Sequence, residues 1–313
     1  MSSPTAQATK VAPAAGRLRA LPGQLREMAG RLVEAERVFE LAGIMTLVLT
    51  LLHLVSTPRL REVILIVAAA GLLDRRLLAR AGYWFVLTGL FVLNHALLWH
   101  VLDNHKWLLT YWCLALGVSR LQADARAALS SNARWLVGLC FLFATLSKLL
   151  SPEYLDGTFF EFTLLTDRRF SGFADLAGGV PADVTGANIS ALRELARPYG
   201  GTEMVQLRDA PRIAGLAVVL SYWTIAIEGA IAVLFLLPAR LGTGMVRDAA
   251  LLLFILSTYP VATVVGFGRV LAVLGLAQTS NRLGLERGLY LACFLLLPFY
   301  RFPFARVIRP LLG

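Results

Sequence analysis

FATLSKLLSPEYLDG, residues 143–157, holds the residue on which the reading of this chain turns. An apolar run that could be membrane-buried ends in Lys148. Two more apolar residues follow, and Ser151-Pro152 then breaks the run, because a residue before proline is steered away from the helical conformation. The ammonium has two readings. It reaches water from a helix end, as long cationic side chains do. Or it sits at the edge of an apolar pocket, where partial burial makes an amine a useful base near neutral pH.

The rest of the chain sets the surroundings. Of 313 residues, 57% are hydrophobic and 16% charged, with a mean hydropathy of +0.67. Soluble domains carry about 25% charged residues. The sequence therefore predicts an all-α fold, a polytopic transmembrane helical bundle in contact with lipid. The net charge of +10 would point to nucleic acid in a soluble protein. Here the arginines stand singly or in pairs between apolar runs, which is how topology is set in membranes, so no nucleic-acid partner is expected. Cys113, Cys140 and Cys293 all fall inside apolar runs with no C-x-x-C pair, and read as small buried hydrophobes.

Residues 1–37 divide into a disordered Ala/Ser/Thr/Pro-rich start, 1–16, and a basic amphipathic segment with Leu21, Leu25, Met28 and Leu32 at helical spacing. Spans are predicted at 38–56, 61–74, 82–101, 107–121, 133–150, 213–237, 249–277 and 287–301, about eight in all. The seventh holds Pro260, Gly266 and Gly268 and is expected to be broken within the membrane. A short basic tail, 302–313, follows. The basic segments 74–80, 120–134 and 239–247, with both termini, then fall on one side, read as the cytoplasmic face of a bacterial inner membrane. The outer loop 151–212, about 60 residues rich in Gly and Pro, is expected to be mostly irregular with a short helix near 188–197.

That topology puts Asn104 and His105, which open the fourth span, at the same depth as Lys148. Gly138, Phe141, Thr145 and Lys148 recur on one helical stripe, and so do Ser221, Thr224 and Glu228. Small and polar stripes on spanning helices face the bundle, and a carboxyl such as Glu228 inside a span is a functional candidate. A structural hydrogen bond to a neighbouring helix is its other reading. Glu228 lies about 15 residues, roughly 22 Å, from the start of its span. Pairing with Lys148 thus requires tilt, or a span that begins later. His95, His100 and His105, each turned about 140° from the last, cannot share a face as metal ligands, and no metal is expected. His95 and His100 are predicted to face the bundle, and Asp103-Asn104 to cap the helix that follows.

Taken together, Asn104-His105 opening a span, a basic linker, a span ending Ser147-Lys148-Leu149, and then SPEYLDG at 151–157 resemble the membrane core of the vitamin K-dependent gamma-carboxylase family, with its bacterial relatives that carry the HTTM domain. Glu228 stands where that family has an acidic residue followed by small ones. The resemblance covers roughly residues 38–280. It implies a reduced quinone, vitamin K-like, as co-substrate. Lys148 would be its base, His105 would orient or stabilise the developing anion, and Asn104 and Glu228 would support them. In the family, the deprotonated quinol reacts with oxygen, the resulting strong base takes a proton from a peptide glutamate, and carbon dioxide adds. An apolar residue near Leu256 replaces a later histidine of the family, so peptide carboxylation is not carried over.

Three functions stay open on the sequence. One is a carboxylase-like or quinone-dependent oxidoreductase or lyase acting on a lipid-soluble small molecule. The second is a non-catalytic membrane scaffold that binds a partner protein. The third is a small-molecule transporter, for which internal repeats are expected and none is seen.

Overall fold

A computed structural model describes residues 37–100, 103–195, 204–238, 241–279 and 284–301. The segment 1–36, with its predicted amphipathic helix, and the tail 302–313 lie outside the described residues. In chain order the helices are α1 (Val38–His53), α2 (Pro58–Leu73), α3 (Ala81–Leu98), α4 (Asn104–Ser119), α5 (Ala125–Leu149), α6 (Pro152–Leu155), α7 (Thr158–Thr166), α8 (Ala182–Leu195), α9 (Ile213–Leu236), α10 (Gly244–Thr258), α11 (Val265–Gln278) and α12 (Gly284–Leu296). Every regular element among the described residues is helical.

Local chemistry explains several of these boundaries. Pro58 and Pro152 take first-turn positions in α2 and α6, where a missing N–H costs nothing. Asp124 caps α5 by accepting a hydrogen bond from the Ala127 N–H at 2.9 Å. Asp103 is the N-cap residue of α4, but its side chain makes no capping hydrogen bond. Helices α3, α5 and α9 are each long and apolar enough to cross a membrane. Their outward faces remain apolar: Val86 and Phe143 are more than half exposed. Such a surface is stable against lipid rather than water. Inside, α11 is buried from Gly268 to Gln278 on all sides, as befits a helix at the centre of a bundle.

The segment 249–277 corrects the sequence reading. It is two antiparallel helices, α10 and α11, rather than one interrupted span. Arg247 at the start of α10 meets Gln278 at the end of α11 at 2.9 Å. Tyr259, just after α10, packs on Gly268 near the start of α11, where a Cβ would overlap its ring. Pro260 ends the first helix, and the Ala262 N–H turns back to the Thr258 carbonyl at 2.8 Å. The interruption was legible, but the reversal of direction depends on these contacts. Helix α12 then runs from Arg287, bonded to Thr279, to Phe294, whose carbonyl accepts from Arg269 Nε at 3.2 Å. Nine helices among those described, α1–α5 and α9–α12, therefore alternate in direction between the two ends of the bundle, and α3, α5 and α9 are the three long and apolar enough to cross a membrane. Val38 and Leu296 lie at opposite ends. The end holding Lys148 is called upper here.

The predicted irregular loop is a second correction. Residues 152–195 form α6, α7, a helical turn at Ser171–Phe173 continuing as a π turn through Gly178, and α8, and the predicted helix near 188–197 is the end of α8. The glycines punctuate these helices instead of dissolving them. Gly157 and Gly179 adopt φ of 90° and 73° between successive turns. Tyr154, Phe160, Leu164, Phe170 and Val180 build a small apolar core against Ile213 and Ala217 of α9. Asn188 ties α8 down by donating to the carbonyls of Leu165 and Arg208 and accepting from the Arg208 N–H.

Candidate functional site

The second core decides the depth of Glu228. The first two turns of α9 are spent packing against α6 and α7, so α9 extends beyond the upper end of α5. Glu228 is thereby level with Lys148, despite lying 15 residues after Ile213. The two helices pack closely along Gly138, where a Cβ would press on Leu236 at 2.8 Å, and along Gly229 beside Thr145. The predicted stripe Gly138–Phe141–Thr145 is buried, and Ser221 and Glu228 are buried on the facing side.

At the top of this seam Lys148 Nζ donates to Glu228 Oε2 at 2.5 Å. Their side chains are 17% and 9% exposed, so water offers little competition for either charge. Nζ also lies 5.4 Å from the centre of the Tyr154 ring, a cation–π distance. Burial holds the Tyr154 phenol above its ordinary range, with Glu228 adding to the effect. Asp156, in the turn that follows, accepts from the Thr158 N–H at 2.9 Å and is held below the usual carboxylate range. The SPEYLDG stretch is thus a helical turn that lays an aromatic face over the ammonium.

Lys148 and Glu228 line a cavity of about 810 Å³ together with His105. Apolar side chains, Leu108, Leu136, Leu139, Phe141 and Phe267 among them, make most of the wall. The polar groups gather at the upper end, while Leu136 lies twelve residues below Lys148 on α5, roughly 18 Å along the helix. Tyr111, Leu139 and Phe143 line it and are also exposed on the outer face. The cavity is therefore an amphipathic slot that opens sideways between α4 and α5.

His105 is fixed from several directions. Gly266 leaves room for its ring, at 3.4 Å from a Cβ built there. Phe267 stands 6.0 Å away, centre to centre, and Asp103 Oδ2 is 3.9 Å from Nδ1. Asn104 opens α4 beside it, and its side chain lies outside the described residues. His95 is buried, with Nδ1 at 2.5 Å from the Phe91 carbonyl. His100 is exposed, contrary to expectation, because α3 ends at Leu98 and the following turn swings it outward, edge-on to Trp99.

Sequence reasoning missed Arg269 and Lys106. Arg269 Nη1 meets His53 Nε2 at 2.7 Å, and Lys106 Nζ donates to the His53 carbonyl at 2.6 Å. These bonds clamp α1, α4 and α11 directly behind His105. An arginine inside the apolar stretch 265–278 was the available signal, since intramembrane charges are costly and placed for a reason. No cluster of three or more His, Cys, Asp or Glu suited to a metal is found among the described residues.

The chain matches no family model, no curated protein and no solved structure. Fold and site together define a helical bundle with three helices long and apolar enough to cross a membrane and a buried lysine–glutamate pair at the head of an apolar slot.

Proposed function

We propose that the chain is an integral membrane enzyme, its bundle spanning the bilayer and its slot taking a lipid-soluble molecule with an acidic hydroxyl at one end. The arginine-rich lower end, with Arg75, Arg76, Arg120 and Arg126, is assigned to the cytoplasm of a bacterial inner membrane. The observation that carries this reading is the cavity, apolar along its length and headed by Lys148, Glu228 and His105. The resemblance to the gamma-carboxylase membrane core makes a reduced quinone the candidate co-substrate. The slot suits it on its own chemistry: its volume is in the range of small-molecule sites, and one end offers ionisable groups to a ring hydroxyl.

A bound quinol would supply a reducing ring whose hydroxyl becomes reactive on losing its proton. The chain's own part is to take that proton. Lys148 and Glu228 as an ammonium–carboxylate pair are neutral overall and can accept one proton as a unit. The pair then carries one positive charge facing the new anion. His105, across the cavity and braced by Phe267 and Asp103, is placed to hold the anion's oxygen. The apolar walls keep water away and so strengthen both interactions.

One observation favours a second reading. The buried Lys148–Glu228 pair bridges α5 and α9, which is also what a purely structural clamp does, as a scaffold would need. One assay separates the two. The purified protein in detergent is given reduced vitamin K and oxygen, and epoxide is measured by chromatography. The enzyme reading expects epoxide from wild type and none from a folded Lys148→Met variant. A well-folded wild type that makes no epoxide removes the quinone chemistry and leaves the scaffold.

A further inference from the structure

The lower end of the bundle holds a second polar cluster, at the opposite end from Lys148. Arg247 Nε donates to Gln278 Oε1 at 2.9 Å. Gln278 Nε2 and the Tyr290 hydroxyl both donate to Asp248 Oδ1. Arg287 donates to the side chain and carbonyl of Thr279 at 2.8 and 2.9 Å. Both arginines are buried, so their guanidinium groups are fixed in place by α10, α11 and α12.

Helix α5 presents a further stripe to this cluster. Arg126, Ser130 and Arg134 recur every four residues and share a face. Ser130 Oγ donates to the Gln278 carbonyl at 3.0 Å, which turns that face toward the cluster. Arg134 lies within electrostatic range of Arg247, and Arg126 within range of Arg287. Arg134 Nε is buried without a hydrogen-bond partner. Among the described residues no ion pair reaches Arg126 or Arg134. Asp248 and Glu286 offset half of this charge, and each keeps one buried oxygen unpartnered. Asp124, nearby, is engaged in capping α5. Arg126 and Arg134 thus stand within electrostatic range of the two fixed guanidinium groups, and the unpartnered Nε of Arg134 leaves a donor for a ligand.

We propose that this cluster binds the phosphate of an anionic phospholipid, with Arg126 and Arg134 as its ligands and Arg247 and Arg287 as a fixed positive floor. Guanidinium groups match phosphate oxygens two at a time, and basic pockets between helices at the membrane boundary hold such headgroups. A lipid is favoured over free phosphate because Leu121, in the turn that leads into α5, and Trp135, next to Arg134 on α5, are both exposed, a surface for acyl chains and an interfacial anchor. The inference rests on the membrane reading of the bundle and not on any chemistry at Lys148.

Delipidated protein in a neutral detergent tests it by thermal unfolding against added phosphatidylglycerol, phosphatidylcholine or inorganic phosphate. Phosphatidylglycerol should raise the melting temperature and phosphatidylcholine should not. In Arg126→Gln/Arg134→Gln the half-maximal lipid concentration should rise on the order of thirtyfold, from about 1 kcal/mol for each cation removed. Arg126→Lys/Arg134→Lys should retain most of the response and shows that the positions tolerate change. If the double glutamine variant does not fold, Arg126→Gln alone is compared by counting bound phosphatidylglycerol in native mass spectrometry. Equal shifts with both lipids, or an undiminished response in the glutamine variants, overturn the proposal. An equal shift with inorganic phosphate assigns the site to a soluble phosphate and overturns the lipid.

Discussion

At the scale of the residue, the Lys148–Glu228 pair concentrates the cost and the use of the site. Each charge is largely removed from water, and each repays that cost only while the other is present. Breaking a buried pair from one side leaves an uncompensated charge, whereas replacing both partners with apolar residues of similar volume is close to neutral. Glu228→Ala should therefore destabilise the protein by about 3 kcal/mol, and Lys148→Met/Glu228→Leu should fall within about 1 kcal/mol of wild type. Denaturant unfolding in detergent checks both. A double variant as unstable as Glu228→Ala would show that packing at this seam, rather than the unpaired charge, sets the loss. The residues of the pair were legible in the sequence, because a lysine at a span end and a carboxyl inside a span both stand out. Their contact was not. Counting residues from Ile213 put Glu228 too deep, since nothing in the local pattern shows that α9 spends its first turns on another core. Arg269 and Lys106 stand in no local motif, and their partner His53 lies 216 and 53 residues away along the chain.

At the scale of the element, glycine and proline carried a message that composition alone misreads. Between residues 151 and 195 they mark where one short helix stops and the next starts. Gly157 is the sharpest case. Its φ of 90° lies in the left-handed region, and a Cβ there would stand 2.9 Å from Val218 Cγ2 and 3.1 Å from the Val218 backbone nitrogen. The backbone of α9 cannot move aside as a flexible side chain could. Gly157→Ala should cost about 1–3 kcal/mol through strain at this turn. It should also disturb Tyr154, which the same turn holds over Lys148. Gly172→Ala, where nothing lies within 4 Å of a new Cβ, should leave stability within about 0.5 kcal/mol of wild type. Melting curves of the two variants side by side make the comparison. Similar losses in both would remove the argument from close approach. The α10–α11 hairpin teaches the same lesson. Pro260 announced an interruption, but whether a chain continues or turns back after it is decided by distant partners, here Gly268 against Tyr259 and Gln278 against Arg247.

At the scale of the whole molecule, the reversal between α10 and α11 inverts everything after it. An eight-span reading leaves residues 278–286 outside and returns the chain to the cytoplasm after 301. The antiparallel packing of α10, α11 and α12 puts Leu285, at the start of α12, at the lower end beside Arg287, and Phe299 at the upper end. Both side chains are well exposed, at 74% and 62%, so they can carry reporters without touching the core. Single cysteines would be introduced in a background with Cys113, Cys140 and Cys293 replaced, and cells treated with a membrane-impermeant maleimide before and after permeabilisation. Asp183→Cys on α8 marks the upper end and Arg75→Cys the lower. With the lower end cytoplasmic, as proposed from the arginines there, Asp183→Cys and Phe299→Cys should react in intact cells. Arg75→Cys and Leu285→Cys should react only once the membrane is opened. The reverse pattern for Leu285 and Phe299, with the two markers unchanged, would mean that α10 and α11 cross as a single span. The cluster of Arg247, Gln278 and Arg287 could then not sit at one face of the bilayer, and the lipid site proposed there would fall with it. The slot at Lys148 depends only on α4, α5, α9 and the turn into α11, so it would survive that result and has to be judged by its own assay.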